Sequence, residues 1–422
     1  MLPGPLGAHL ARGGEVSALW AQRPQEYFFL RALCQPAVEP FNPERYRAQL
    51  EESRKRVEKA LDFEEPDRVP VSINVQGPYY AWLFGVPLSE YYTNLEAMLY
   101  VQIKGLKWRL EWLRDDVTSI GVSLDPGAVA EGLLFGCEIV MPDESCPWRS
   151  PWIVPCIKTL EDIDKLEVPD PRDVPAVRAF YAKLEELKRL VRERYGDLPV
   201  GGGLQIHPPV SAAGSLLGPQ RLYSWLRRYP REMHKLFRKL EEAFVALKQF
   251  HHEATGAEPG WLGLADDHAG YLRRPAYEEF ALPYNLRLYE RFGSKYRYLH
   301  MDSPMHHIAD IVRDVYRVNY ADLGVESDIR AIAREFKGKV AFDGNADWRA
   351  LLSGSLERIE VEVEKCIWHA APGGGYVFDN GGETYAGAPP EALKYEVEYA
   401  KKVGRYPIKK ESFKHLDKLE LS

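Results

Sequence analysis

Apolar and polar positions alternate in blocks along most of the chain. Short apolar runs bounded by Pro, Gly, Asp or Asn are followed by longer stretches with apolar positions three and four apart. The first kind reads as buried strands and the second as amphipathic helices. Eight runs qualify as strands, beginning near residues 69, 117, 198, 261, 296, 318, 339 and 375. Helices are predicted at about 42–61, 94–114, 174–195, 219–255 with a break near Pro230, 275–292, 305–316, 327–336, 356–371 and 390–403. The first opens on Asn42-Pro43-Glu44, where Asn caps and Pro takes the first turn. Nearly every strand is followed by a helix. That rhythm predicts an α/β fold, a (β/α)8 TIM barrel with insertions. A doubly wound open sheet is the alternative, and it should show a Gly-rich first turn. Gly201-Gly202-Gly203 lies inside a predicted strand and Gly373-Gly374-Gly375 precedes one, so neither suits that role.

The rhythm breaks in two places. Residues 1 to about 40 scatter Pro and Gly around a possible helix from Glu15 to Leu33. The expected organisation is an N-terminal extension and helix over 1–60, a barrel over 61–405 and a tail over 406–422. Residues 130–160 alternate short β runs with Pro and Asp, which predicts a β-hairpin insertion folded over the mouth of the barrel.

The predicted strands end in polar side chains. The stretch Trp261 to His307 is the densest case. One strand ends in Asp266, Asp267 and His268, the next in His300 and Asp302, with a helix between. Strands joined by a crossover helix run parallel, so these ends face the same way. In parallel α/β folds ligands bind at that end. Asn74, Asp125, His207, Asp322, Asp343, Asn345 and the run Asp379 to Glu383 close other strands. Asp, Asn and His also cap helices and close turns, and several of these residues are expected to do only that. Three chemistries fit such a mouth: carboxylate pairs for glycoside hydrolysis, a divalent metal on His and carboxylate ligands, or a metal-free polar cage for proton transfer. His300 and Asp302, two apart on a strand, point to one face and could share a metal.

Composition narrows the class. The 422 residues are 45% apolar with a net charge of −7, which suits a globular protein and argues against nucleic acid as a partner. No apolar run approaches about 18 residues, so no membrane span is expected. No signal peptide is visible. Five cysteines without a C-x-x-C pair favour a reducing, cytoplasmic setting.

Several segments together resemble the uroporphyrinogen decarboxylase superfamily, which includes cobalamin-linked methyltransferases. They are PDRVPV at 66–71, FGCEIVMPDESCPW at 135–148, IDKLEVPDP at 163–171, ADDHAGYLRRPAYEEFALPY at 265–284, LHMDSP at 299–304, FDGNAD at 342–347 and GGGYVFDNGG at 373–382. The resemblance spans about residues 50–405 and implies a (β/α)8 barrel. In its methyltransferase branch, zinc is held by H-x-C and a later Cys. Here those positions read His300-Met301-Asp302 and Gly382-Glu383, so both thiolates are replaced and a harder divalent metal than zinc comes into question. The decarboxylases carry an arginine-rich loop after the first strand, where this chain has Asn74-Val75-Gln76-Gly77-Pro78-Tyr79-Tyr80; Arg273 and Arg274 are the nearest substitutes.

The resemblance implies an enzyme for methyl transfer or demethylation of a small-molecule substrate, linked to a corrinoid protein. Decarboxylation of an acidic, porphyrinogen-like substrate is the alternative, and a non-catalytic ligand-binding barrel a third. Asp267, His268, His300 and Asp302 are the expected catalytic residues. Asn74, His207, Asn345, Asp379 and Asn380 are expected to bind substrate, and His300, Asp302 and Glu383 to hold any metal.

Overall fold

In a computed structural model of the chain, residues 40–421 are described, apart from 144, 146 and 147. The expected helix from Glu15 to Leu33 lies outside the described residues. The centre is a five-stranded parallel sheet whose strands neighbour one another in chain order: β5 (Trp261–Ala265), β6 (Tyr296–Met301), β7 (Tyr320–Leu323), β8 (Ala341–Asp343) and β9 (Tyr376–Val377). Register places Leu264, Leu299, Ala321 and Phe342 in one row, and all four are buried. The next row is Ala265, His300, Asp322 and Asp343. Successive side chains alternate faces, so the apolar row meets the outer helices while the polar row lies on the inner face. Tyr298 and Tyr320 stack on that inner face, two residues before His300 and Asp322.

The remaining strand segments continue in chain order, with thinner pairing. Val71 bridges Phe378 in parallel. The Asp116 N–H donates to the Val71 carbonyl at 2.6 Å. Farther on, β1 (Val122–Ser123) pairs in parallel with β4 (Val200–Gly201). The Gln205 side chain reaches the Gly263 carbonyl at 2.7 Å, joining this half to β5. Among the described residues the backbone ladder does not close into a barrel. Pro70, Pro126 and Pro199, with glycines at 201–203, lie in or beside these segments. Proline lacks the N–H that a ladder needs, and glycine weakens a strand interior.

Helix α1 (Arg47–Leu61) follows a short 3-10 turn capped by Asn42, as its start signal predicts. Arg56 fastens it to the body through Asp116 and Asp67, both at 2.7 Å. The helix predicted at 275–292 breaks at Ala281, and that at 305–316 is a 3-10 turn followed by a π-helical turn. Helices at Gly77–Leu83 and Leu88–Thr93 were not expected. Nor was α3 (Pro209–Leu217), whose Pro208-Pro209 start reads as a break but serves as a first turn.

The insertion needs correcting too. It begins as helix α2 (Ala130–Phe135), and only then comes the antiparallel pair β2 (Ile139–Val140) and β3 (Trp152–Ile153). Cys137 and Cys156 are joined as a disulfide beside this pair, which the cysteine spacing did not signal. Cys366 is a buried free thiol. Among the described residues no helix is long and apolar enough to cross a membrane.

Candidate active site

His300 is the hub of the polar row. Its Nδ1 lies 2.7 Å from Asp322 Oδ2 on the neighbouring strand. Its Nε2 lies 3.7 Å from both Asp267 and Asp302. Burial works against a charged ring here, but Asp302, Asp322 and Asp267 outweigh it and raise the pKa to about 11. Near His300, Asp343 is held well above the usual carboxylate range by burial and then by the charge of Asp322, and Asp379 by burial and then by the charge of Asp343. Carboxyls shifted this way hold their protons at neutral pH, so the negative charge facing His300 comes from Asp302, Asp322 and Asp267.

Asp267, His300 and Asp302 each offer one ligand atom, and these atoms lie within 4.8 Å of one another. The Asp302 N–H donates to Asp267 Oδ1 at 2.7 Å, locking the two loops together. Asp302 Oδ1 is buried and has no hydrogen-bond donor. The positive group that faces it is His300 Nε2 at 3.7 Å, and a divalent cation would take the place of that proton, shared between Nε2 and the two carboxylates. The donor set is one nitrogen and two carboxylates, which suits zinc or a harder divalent cation better than a thiol-loving one. The third place in the cluster is taken by Asp267, not by Glu383. Glu383 stands on the adjoining wall, where burial, followed by the charges of Asp302 and Asp125, raises its pKa.

A second histidine stands nearby. Both the His207 backbone N–H and its Nδ1 meet Glu131 Oε1 at 2.6 Å. Burial opposes its charge, yet Glu131 raises its pKa to about 9, with Asp267 and Asp266 adding to the effect. His268 turns elsewhere. Its Nδ1 lies 3.3 Å from the Tyr223 hydroxyl, and its ring covers Gly214 of α3 so closely that no side chain would fit there. Asp266 is fully buried and accepts bonds from Ser211 and Asn285, both at 2.7 Å. Burial raises its pKa to about 6. It fastens the loop that carries Asp267.

The other expected contacts divide. Asp379 accepts from the Asn74 N–H at 2.8 Å and from the Asn380 N–H at 2.7 Å, so it ties the first strand to the last. The Asn74 side chain accepts from Gln76 at the rim. Asn345 is buried and donates to the Gly324 and Ser327 carbonyls at 3.1 and 2.7 Å. Asn380 is buried with its amide against Glu396 on the outer helix layer. Neither amide is turned to the mouth. Sequence reasoning noted Asp322 as a strand-end acid but gave it no role, and it missed Glu131. Its signal was one charged residue in the apolar run AVAEGLLFG.

The family model for uroporphyrinogen decarboxylase (URO-D) matches residues 52–403. A uroporphyrinogen decarboxylase from Schizosaccharomyces pombe is 25% identical over 369 residues, covering 82% of this chain and 96% of that protein. One from Shewanella loihica is 27% identical over 246 residues, covering 55% of this chain and 66% of its own length. Among solved structures, a methyltransferase from Methanosarcina mazei superposes with a TM-score of 0.60 at 20% identity, covering 82% of this chain and 97% of that one. That likeness speaks for the fold. With a family match over nearly the whole described length, the chain belongs to the uroporphyrinogen decarboxylase family.

Proposed function

We propose that this protein is an enzyme of methyl transfer or demethylation, working on a small molecule at the mouth of a (β/α)8 barrel with a corrinoid protein as partner. The observation that carries the reading is the Asp267–His300–Asp302 cluster with its orphaned Asp302 Oδ1. These three residues would hold a divalent cation, zinc or harder. Bound there, such a cation supplies Lewis acidity toward an oxygen or nitrogen of the substrate. His300 orients through Asp322, and Asp267 and Asp302 brace each other through one hydrogen bond. Tyr271 and Tyr385 are exposed large aromatics, and both feel the charges of Asp267 and Asp302. Flat exposed rings beside a polar centre suit contact with a large planar group or a protein surface. A cytoplasmic setting belongs to the same reading on the ground of the family and not of the cysteines, since Cys137 and Cys156 are paired.

Decarboxylation of a polycarboxylate is the second reading, and charge speaks against it. Asp125, Asp267, Asp302 and Glu383 surround the mouth, and like charges repel an acidic substrate. The two histidines beside these acids, His300 and His207, are each already paired with a carboxylate, Asp322 and Glu131, and Arg274 is paired with Asp310 at 2.7 Å and with Glu278 at 2.9 Å.

The test is calorimetry with Zn2+, Mn2+ and Co2+ on metal-stripped protein, alongside consumption of methylcobalamin with phenol as acceptor. One cation per chain should bind, and Asp302→Asn should weaken it at least about tenfold while circular dichroism stays unchanged. Wild-type protein that binds no divalent cation would remove the reading.

A further inference from the structure

We infer that His207 carries the proton the transfer requires and that Glu131 is the residue that positions it. The reaction rests on the reading above; the two residues rest on geometry of their own. Glu131 is 0% exposed, on a six-residue helix whose other members are Ala, Gly, two Leu and Phe. A carboxylate in such a place is strongly unfavourable unless it is paired, because burial strips its hydration. Its Oε1 takes both the backbone N–H and Nδ1 of His207 at 2.6 Å, while Oε2 is buried with no partner. With Nδ1 held as a donor, the ring can exchange a proton with a ligand only at Nε2. The His207 side chain is 25% exposed and that of Glu131 is 0% exposed, so what exposure the pair has lies on the histidine.

The comparison with His300 sharpens the assignment. Each histidine has Nδ1 against a carboxylate, Asp322 for His300 and Glu131 for His207. The Nε2 of His300 faces Asp267 and Asp302 and is committed to the cation cluster. No hydrogen bond to the Nε2 of His207 is found among the described residues. The charged and titratable groups around its ring are Glu131 on α2, then Asp266, Asp267 and His268 at the end of β5. Glu131, at 2.6 Å, is the acid that meets the ring directly and favours its charged form.

The step balances as follows. In a substrate R–X–CH3 the C–X bond breaks and its electron pair stays on X. The methyl carbon bonds to the electron pair of the acceptor, a reduced corrinoid. The Nε2 proton of the His207 imidazolium passes to X, giving R–XH and a neutral imidazole whose Nδ1–H remains on Glu131. The reverse step returns the proton to Nε2.

Full-length protein labelled with 15N-histidine tests the inference in wild type, Glu131→Gln, Glu131→Asp and His207→Asn, the last to assign the signal. In wild type His207 should show a downfield, slowly exchanging Nδ1 proton. Glu131→Gln should abolish that signal and lower the titration midpoint by at least one unit, and Glu131→Asp should largely restore both. Mn2+ binding should be unchanged in Glu131→Gln and His207→Asn, because neither residue belongs to the cation cluster. With methylcobalamin and phenol, His207→Asn should lower kcat by about 10²–10⁴-fold with little change in KM. In Glu131→Gln the pH profile of kcat should move with the His207 midpoint. An unchanged His207 spectrum in Glu131→Gln, or an unchanged rate and pH profile in His207→Asn, overturns the inference. If wild type consumes no methylcobalamin, the reaction reading and with it the proton transfer by His207 fail, and the Glu131→Gln spectrum then decides only whether Glu131 positions His207.

Discussion

Glu396 on the outer helix layer shows what a single buried group does to the pH response. It is 1% exposed, and burial raises its pKa from 4.5 to about 8 against a hydrogen bond from Asn380. The folded state therefore holds a proton that the unfolded chain releases near pH 4.5. The stability from this group is fully present below that value and is lost as pH rises through about 8. Glu396→Gln should keep the shape and remove the titration. Chemical denaturation from pH 5 to 9 should show the wild type losing stability across this window more steeply than the variant, with the variant ahead by about 1–3 kcal/mol at the alkaline end. Parallel curves would show that Glu396 is charged in the fold.

At the scale of elements, the cation cluster depends on how closely the ends of β6 and β7 approach. Gly324 follows β7, and a Cβ there would overlap the backbone carbonyl of Asp302. Hydrogen bonds from the Gly324 N–H to the Met301 carbonyl and from Asn345 to the Gly324 carbonyl fix the same corner. The chain has no room to yield without moving Asp302. Gly324→Ala should cost about 1–3 kcal/mol by overpacking and should weaken divalent-cation binding at least about tenfold. Thermal melting and calorimetry read the two effects separately. Asn345 thus serves the site by shaping this corner, although its amide does not line the mouth.

For the whole molecule, one buried ion cluster joins the first helix to the sheet. Asp116 has a side chain 3% exposed and takes Arg56 at 2.7 Å, Arg68 at 2.6 Å and the Val71 N–H at 2.8 Å. Arg68 also bridges Arg405 in the last turn of the chain's body. Helix α1, the first strand segment and the C-terminal end therefore meet at one carboxylate. Asp116→Asn should leave two guanidinium groups undercompensated and destabilise the fold by about 3–5 kcal/mol. Denaturant unfolding measures this, and a loss under about 1 kcal/mol would show that the cluster is hydrated and loosely coupled.

The sequence by itself determined the local order. The alternating β and α blocks, the Asn42 cap and the helices at 175–195, 356–370 and 390–403 follow from periodicity and end signals that act over a few residues. The cluster of Asp267, His300 and Asp302 was legible for the same reason: consecutive parallel strands bring their carboxyl ends together. Tertiary structure decided what spacing cannot reach. Whether His268 joined His300 or turned to Tyr223 depended on the empty space at Gly214, 54 residues away along the chain. The partnership of Glu131 with His207 crosses 76 residues, and that of Cys137 with Cys156 crosses 19. Strand length was also settled there, because prolines and glycines that look tolerable in an apolar run remove or weaken ladder bonds once a neighbour is in place. A side chain's face is written in its period, but its partner is chosen only when distant segments compete for the same space.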